Sequence, residues 1–541
     1  MAEKVEQSCL NKIRSEIDRR KTFAIISHPD AGKTTITEKL LLYGGAIRLA
    51  GAVKARKSGS YAVSDWMEIE KQRGISVTSS VMQFEYEDHF INILDTPGHQ
   101  DFSEDTYRTL MAADSAVMLI DGAKGVEAQT IKLFHVCKMR GIPIFTFVNK
   151  MDRASKDPFE LMEEIENVLG IRSYPMNWPI GTDGDFKGVY NRKLKQIELF
   201  EGGKHGQTTV SSIKGSVDDS VFTDLLGSHY HNRLREEIEL LDMAGDQFSM
   251  EKVRSGELTP MFFGSAMTNF GVQPFLEEFI SMAPSPGIRM SDAGEIDPES
   301  EIFSGFVFKI QANMNPTHRD RIAFIRICSG MFRRGMSVYH VQAGKEIKLA
   351  QPQQFMAQER AIVEEAYPGD IIGVFDPGVF RIGDSLCEGN KRFRFEGIPI
   401  FPAEHFARVS PADSMKRKQF IKGISQLSQE GAIQVFKQPD SGMETIVVGA
   451  VGVLQFEVLE HRLKHEYGVD LRVNQLSFRY ARWIVSEAED LKGLNLTSST
   501  MLVEDNEERP VLLFENDWNI RWAEEKNKGL VLADIAGTAK Q

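Results

Sequence analysis

The sequence predicts a multidomain α/β protein: a P-loop α/β domain, then a β-barrel domain, then a ferredoxin-like α/β domain. Three observations carry this reading. Apolar runs of strand length alternate with helix-spaced segments through the first half, which implies a mostly parallel sheet covered on both faces. Short alternating runs punctuated by glycines follow, the pattern of a small barrel. The last region has the order strand–helix–strand–strand–helix–strand of a split βαβ unit. The boundaries are 1–287, 300–395 and 397–541, the last including a C-terminal tail.

Phe23-Ala24-Ile25-Ile26 is the first short apolar run, and Thr35 to Leu42 reads as the helix after it. Val81–Glu87 and Phe90–Leu94 read as two strands, with Asp88-His89 as their hairpin turn. Ser115–Ile120 and Ile142–Val148 are buried-strand candidates, and Gln129–Arg140 between them has helical spacing. Ala283-Pro284-Ser285-Pro286-Gly287 and the acidic stretch Asp292–Glu301 read as a linker. The barrel runs are Phe303–Ile310, Arg321–Ile327, Ser337–Val341 and Ile371–Val374.

In the third region Ile400–Val409 reads as a strand. Ser410-Pro411 is expected to open a helix with Met415, Phe420, Ile421, Ile424 and Leu427 on one stripe. Ile433–Phe436, Thr445–Val451 and Val469–Val473 read as strands, and Leu454–Tyr467 as a helix stopped by Gly468. The tail from Ser477 to Gln541 has no clear assignment.

Composition narrows the function. With 541 residues, about 150 per domain gives three or four domains. The 4 cysteines show no metal spacing, and a reducing cytoplasm fits them. The N-terminus has no apolar core, so no signal peptide is expected. Ile446–Leu454, the longest apolar stretch, is far short of the roughly 20 residues of a membrane span. A net charge of −13 argues against coating nucleic acid by charge alone.

The chemistry begins at Ser27-His28-Pro29-Asp30-Ala31-Gly32-Lys33-Thr34, directly after the first apolar run. Successive backbone N–H groups and a helix N-terminus make an anion nest there, continuing to Thr35. Gly32 lets the backbone approach phosphate, Lys33 neutralises β/γ oxygens, and the Thr34 hydroxyl suits Mg²⁺. Ser27 stands where the common pattern has Gly. Asp95-Thr96-Pro97-Gly98-His99 follows the strand ending at Leu94, 62 residues after Lys33. An acidic residue at a strand end can hold Mg²⁺ through water, and the Gly98 N–H can sense a γ-phosphate.

Asn149-Lys150-Met151-Asp152 ends another apolar run. A carboxylate there can accept from guanine N1–H and its amino group, a donor pair adenine lacks, so the wrong base leaves buried acceptors unpaired. Gly264-Ser265-Ala266, whose Ser265 stands 113 residues after Asp152, is placed to offer a backbone N–H to guanine O6. Four elements in this order point to GTP and GDP.

With these motifs the chain resembles a translational GTPase of the elongation factor G group. Asp65-Trp66-Met67-Glu68-Ile69-Glu70-Lys71-Gln72-Arg73-Gly74-Ile75 resembles that group's first switch region, and Pro179–Gly181 through Phe186–Tyr190 resembles an insertion of the same group. The resemblance implies that Ser76, where the group has Thr, closes over Mg²⁺ and the γ-phosphate. It also implies that His99 orients the attacking water, so His99 and Lys33 are the expected catalytic residues. Asp30 is a candidate for a monovalent cation or a plain turn. The group's elongation factor carries two further domains, whereas this sequence ends after its own tail. That shorter architecture resembles the group's termination branch and implies ribosome-activated GTP hydrolysis that dissociates stop-codon-reading release factors. A cytoplasmic monomer without membrane contact is expected.

Lys391-Arg392-Phe393-Arg394 and Lys416-Arg417-Lys418 are either faces for ribosomal RNA or ordinary solvated charge. The rival readings are another translational GTPase and a GTP-gated scaffold without turnover. A phosphotransferase is a third, but the guanine motif and the lack of an acceptor site weigh against it.

Overall fold

Ala24 and Ile26 face one side of their strand, Phe23 and Ile25 the other, and all four are fully buried. Such a strand belongs in the middle of a sheet covered on both faces. In the computed structural model it does. The structure describes residues 2–46, 70, 76–181, 186–199, 211–312, 321–349, 351–356, 359–398, 402–438, 446–486, 491 and 493–534.

The first domain is built on a seven-stranded sheet. Its strands are β1 (Arg20–Ser27), β2 (Ser80–Tyr86), β3 (His89–Asp95), β4 (Ser115–Asp121), β5 (Ile144–Asn149), β6 (Arg172–Pro175) and β11 (Leu258–Phe263). The order is β2-β3-β1-β4-β5-β11-β6, and every neighbouring pair is parallel except β2 with β3. The β2–β3 turn lies one residue earlier than the sequence suggests. Glu87 and Asp88 take φ of 44° and 63°, as a two-residue hairpin turn requires, and His89 is already in the strand. On one face Phe23, Phe145 and Phe275 pack around Phe279, with Phe23 and Phe145 edge-on at 4.6 and 4.9 Å. Truncating such a ring to Ala costs about 3–5 kcal/mol.

The insertion between Asp152 and Ser265 forms its own antiparallel sheet, β7 (Asn177–Ile180), β8 (Gly188–Asn191), β9 (Gln196–Leu199) and β10 (Ser211–Lys214). Helices Val221–Leu226 and Ser228–Ala244 accompany it, and fully buried Trp178 donates to Glu237 at 2.7 Å.

The barrel domain has an eight-stranded antiparallel sheet centred on the long strands Ser304–Ala312 and Arg321–Ser329. The linker is not plain coil. Arg289–Ser291 and Gly294–Ile296 form a small hairpin inside it. Buried ion pairs fasten the barrel to the first domain. Arg326 meets Asp114 at 2.5 Å, and Arg20 meets Asp370 at 2.7 Å.

The third domain's sheet runs, from edge to edge, Gln434–Phe436, Ile446–Ala450, His405–Pro411 and Leu471–Leu476. All its neighbouring pairs are antiparallel, the arrangement of a ferredoxin-like unit. Ser410-Pro411 does not open the helix. Both residues still pair with the strand Leu471–Leu476, and the turn starts where the Asp413 carboxylate caps the Met415 N–H at 2.9 Å. The helix runs Arg417–Gln429, and Met415 lies outside its buried stripe at 88% exposure. Proline tolerates the strand's end because no further ladder donor is needed there. Ile400 and Thr445 lie outside the described residues.

The unassigned tail forms a second antiparallel sheet, ordered Thr500–Glu504, Pro510–Phe514, Tyr480–Ile484 and Leu532–Ala533, with helix Asp517–Lys526. Trp483, Val511 and Leu513 pack on Phe406, Phe436 and Val447 of the ferredoxin-like sheet, so tail and unit share a core.

Candidate nucleotide site and switch region

Parallel α/β sheets bind ligands in the crevice beyond the carboxyl ends of their strands. The four motifs sit there. Ser27 closes β1, Asp95 closes β3, Asn149 closes β5, and Gly264-Ser265-Ala266 follows β11. Because these strands lie side by side in one sheet, segments far apart in sequence converge.

The phosphate loop leaves β1 and enters helix Lys33–Tyr43. Asp30 turns the loop with φ of 66° and Gly32 with φ of 98°. A Cβ on Gly32 would lie 2.3 Å from the Asn149 amide nitrogen, so this position accepts glycine alone. Thr34 and Thr35 occupy the partly exposed first turn of the helix. Lys33 is buried and its Nζ donates to Asp95 Oδ1 at 2.5 Å. Asp95 Oδ2 and Ser27 Oγ are buried without a hydrogen-bond partner. Buried polar atoms are rarely left so.

Asn149 joins three motifs. Its amide nitrogen donates to Ala31 O at 2.8 Å, and its Oδ1 accepts from Ala266 N–H at 2.8 Å. A guanine O6 that reaches Ala266 shares that N–H with Asn149. Lys150, held at φ of 69°, spans the site from Asp30 O at 2.5 Å to Asp121 Oδ2 at 2.7 Å. Burial alone would raise the Asp121 carboxyl, but the Lys150 ammonium and nearby backbone N–H groups hold it below the usual range. Fully buried Met151 donates its N–H to Gly264 O at 3.1 Å. Asp152 accepts from Ser265 Oγ at 2.6 Å, which fixes its carboxylate at the outer end.

The Asp95–His99 segment lies against the loop. Thr96 Oγ1 donates to Ile25 O at 2.7 Å, and Pro97 is buried. A Cβ on Gly98 would sit 3.5 Å from Pro29, so the two backbones are in contact range. The His28 ring is 3.1 Å from Glu127. His99 is partly exposed and its Nδ1 accepts from Asp101 N–H at 3.2 Å. Of the resembling first-switch stretch, Glu70 alone is among the described residues. It is buried and accepts from the N–H of Val77 and Thr78 at 2.9 and 3.1 Å. Ser76 stands four residues before Ser80, which pairs with Asp95 across β2 and β3. The basic runs are exposed at Lys391, Arg392, Arg394, Arg417 and Lys418.

Sequence reasoning passed over Asp121 and Asp101. Asp121 had a visible signal, an acidic residue at a strand end followed by glycine. Asp101 had none, because its partner lies in another domain.

A P-loop sheet with its motifs on strand ends, followed by a barrel and a ferredoxin-like unit, defines a translational GTPase. Residues 18–285 match the elongation factor Tu GTP binding domain, 302–389 match elongation factor G domain 2, and 395–524 match the class II release factor RF3 C-terminal domain. Peptide chain release factor 3 of Symbiobacterium thermophilum is 62% identical over 97% of this chain and 99% of its own. Those of Listeria monocytogenes and Trichodesmium erythraeum are 55% and 52% identical, each over 97% of this chain and over 99% and 97% of their own. The chain belongs to the peptide chain release factor 3 family, GTPases of translation termination. A crystal structure from Thermus thermophilus shares the fold, with a TM-score of 0.68 at 21% identity over 90% of this chain and 72% of that one. Among the described residues no helix is long and apolar enough to cross a membrane.

Proposed function

We propose that this chain binds GTP between Gly32, Asp95 and Asp152, hydrolyses it when docked on the ribosome, and so dissociates stop-codon-reading release factors after peptide release. The observation that carries the nucleotide reading is the Asn149 clasp, which joins the phosphate loop to the base-recognition loop. Family membership carries the termination role.

Each residue has a defined task. Backbone N–H groups from Asp30 to Thr35 receive the β- and γ-phosphates, and Lys33 neutralises their oxygens. An incoming γ-phosphate competes with Asp95 for Lys33. Asp152, held by Ser265, accepts from guanine. Mg²⁺ fits hard oxygen donors, and Thr34, Ser76 and the unpartnered Asp95 Oδ2 (through water) are the residues that would hold it. When bound, it neutralises charge on the β- and γ-oxygens. His99 orients water toward the γ-phosphorus, and the Gly98 N–H reports whether the γ-phosphate is present. Intrinsic turnover is slow and the ribosome supplies activation.

Single-turnover GTP hydrolysis with and without ribosomes tests this. Wild type should be strongly stimulated, and His99→Ala should bind GTP normally yet lose the stimulation. A scaffold that never turns over GTP would show no ribosome-dependent phosphate release.

A further inference from the structure

His99 does not stand on the first domain alone. Two residues on, Asp101 is buried at 8% exposure and serves two domains at once. Its Oδ2 accepts from Leu454 N–H at 2.8 Å, at the N-terminus of the third domain's helix Leu454–Tyr467. Its Oδ1 lies 3.3 Å from His99 Nδ1, and its own N–H donates to that same nitrogen. A carboxylate at a helix N-terminus is doubly favoured, by the free N–H and by the helix dipole.

The surroundings leave little freedom. A Cβ on Gly452 would fall 2.0 Å from Asp101 Cγ, so the third domain approaches this carboxylate as closely as glycine permits. Beside it Val77, Phe102 and Val458 form a small buried cluster with Leu454 against it. Val77 follows Ser76, and Phe102 lies 6.2 Å edge-on from the His99 ring. The third domain therefore touches the neighbours of both residues proposed to handle the γ-phosphate.

We infer that Asp101 is a positioning residue through which the third domain sets the orientation of His99 for ribosome-stimulated hydrolysis. The inference rests on the His99 reading given above. Asp101 holds Leu454 N–H with Oδ2 and meets His99 Nδ1 with its own N–H, so displacing the Leu454 helix moves the residue on which the His99 ring rests. A misplacement of about 1 Å can cost on the order of 100-fold in rate. The side-chain and N–H contacts of Asp101 reach His99 and Leu454, not Lys33, Asn149 or Asp152.

The test compares Asp101→Ala, Asp101→Asn, Gly452→Ala and His99→Ala in the full chain. Each variant is measured for GTP affinity and for kcat and KM of ribosome-stimulated hydrolysis. Asp101→Ala and Gly452→Ala should lower kcat by about 10- to 100-fold, with GTP affinity within about threefold of wild type. Asp101→Asn keeps a carbonyl for Leu454 N–H and should recover most of the lost kcat. Intact GTP affinity reports that each variant is folded. Wild-type kcat in both Asp101→Ala and Gly452→Ala, with His99→Ala inactive, overturns the inference and leaves the His99 reading standing. Full stimulation in His99→Ala removes the reading on which it rests. A fall in kcat that Asp101→Asn does not recover also overturns it, since the acceptor for Leu454 N–H is then not what sets His99.

Discussion

The Asn149 side-chain amide donates to the Ala31 carbonyl at 2.8 Å, across 118 residues of sequence. That bond and its companion to Ala266 make one buried side chain the junction of the phosphate and base halves of the site. Asn149→Ala leaves Ala31 O and Ala266 N–H unpaired, each at about 1–3 kcal/mol. GTP affinity measured by fluorescent-nucleotide titration should fall at least tenfold (about 1.4 kcal/mol). Unchanged affinity would mean the two loops hold their places without the clasp.

Asp152 reads the base in the proposed function, so its substitution should change the base. Asp152→Asn presents an amide NH₂ where the carboxylate accepted, which suits the 2-oxo group of xanthine and opposes the guanine amino group. GTP affinity should drop by about 100-fold or more, while XTP affinity rises. Competition titration with both nucleotides reads this directly, and loss of both would assign Asp152 a structural task instead.

The Asp121–Lys150 pair makes a pH prediction. The folded-state pKa of Asp121 lies below its unfolded value of about 3.8, so its contribution is complete above that value. It is lost as pH falls through the window beneath. Asp105 adds to the same limb. Burial opposes its charge, but Lys309, Arg108 and the Ser79 N–H hold it low. Asp121→Asn should lower stability near neutrality and flatten the decline on the acid side, as read by urea unfolding across pH. An unchanged acid limb would exclude Asp121 as a contributor.

Lys309 is a buried barrel residue that reaches into the first domain, where its ammonium donates to Ser79 O and Ser79 Oγ. Burial pushes its pKa down, and Asp105 at 4.0 Å opposes that. Lys309→Ala leaves Ser79 O without its donor at the interface, while Asp105 keeps the Ser79 N–H and Arg108. Leaving a buried acceptor unpaired costs about 1–3 kcal/mol. Thermal unfolding should shift down accordingly, and an unmoved unfolding midpoint would contradict the interface role.

Much of this was legible in sequence because local chemistry determined it. Gly32, Lys33, Asp95, Asn149 and Asp152 are readable from strand ends followed by loop residues of fixed type. The third domain's order was readable from its periodicities, and Gly468 stops its helix as expected, at φ of 68°. What failed was non-local. Pro411 looked like a helix opener, but pairing with Leu471 keeps it in a strand. The tail had no legible pattern because Trp483 and Val511 find their partners on Phe406 and Val447, a sheet built elsewhere in the chain. Asp101 is invisible for the same reason.

GTP hydrolysis by this chain should drive a termination event. The direct measurement follows a labelled stop-codon-reading release factor on ribosomes after peptide release, with this protein and GTP, GDP or no nucleotide. GTP should accelerate departure of the labelled factor beyond GDP or none, and the His99→Ala protein should fail to sustain repeated rounds. Equal departure rates in all three nucleotide conditions would contradict the account.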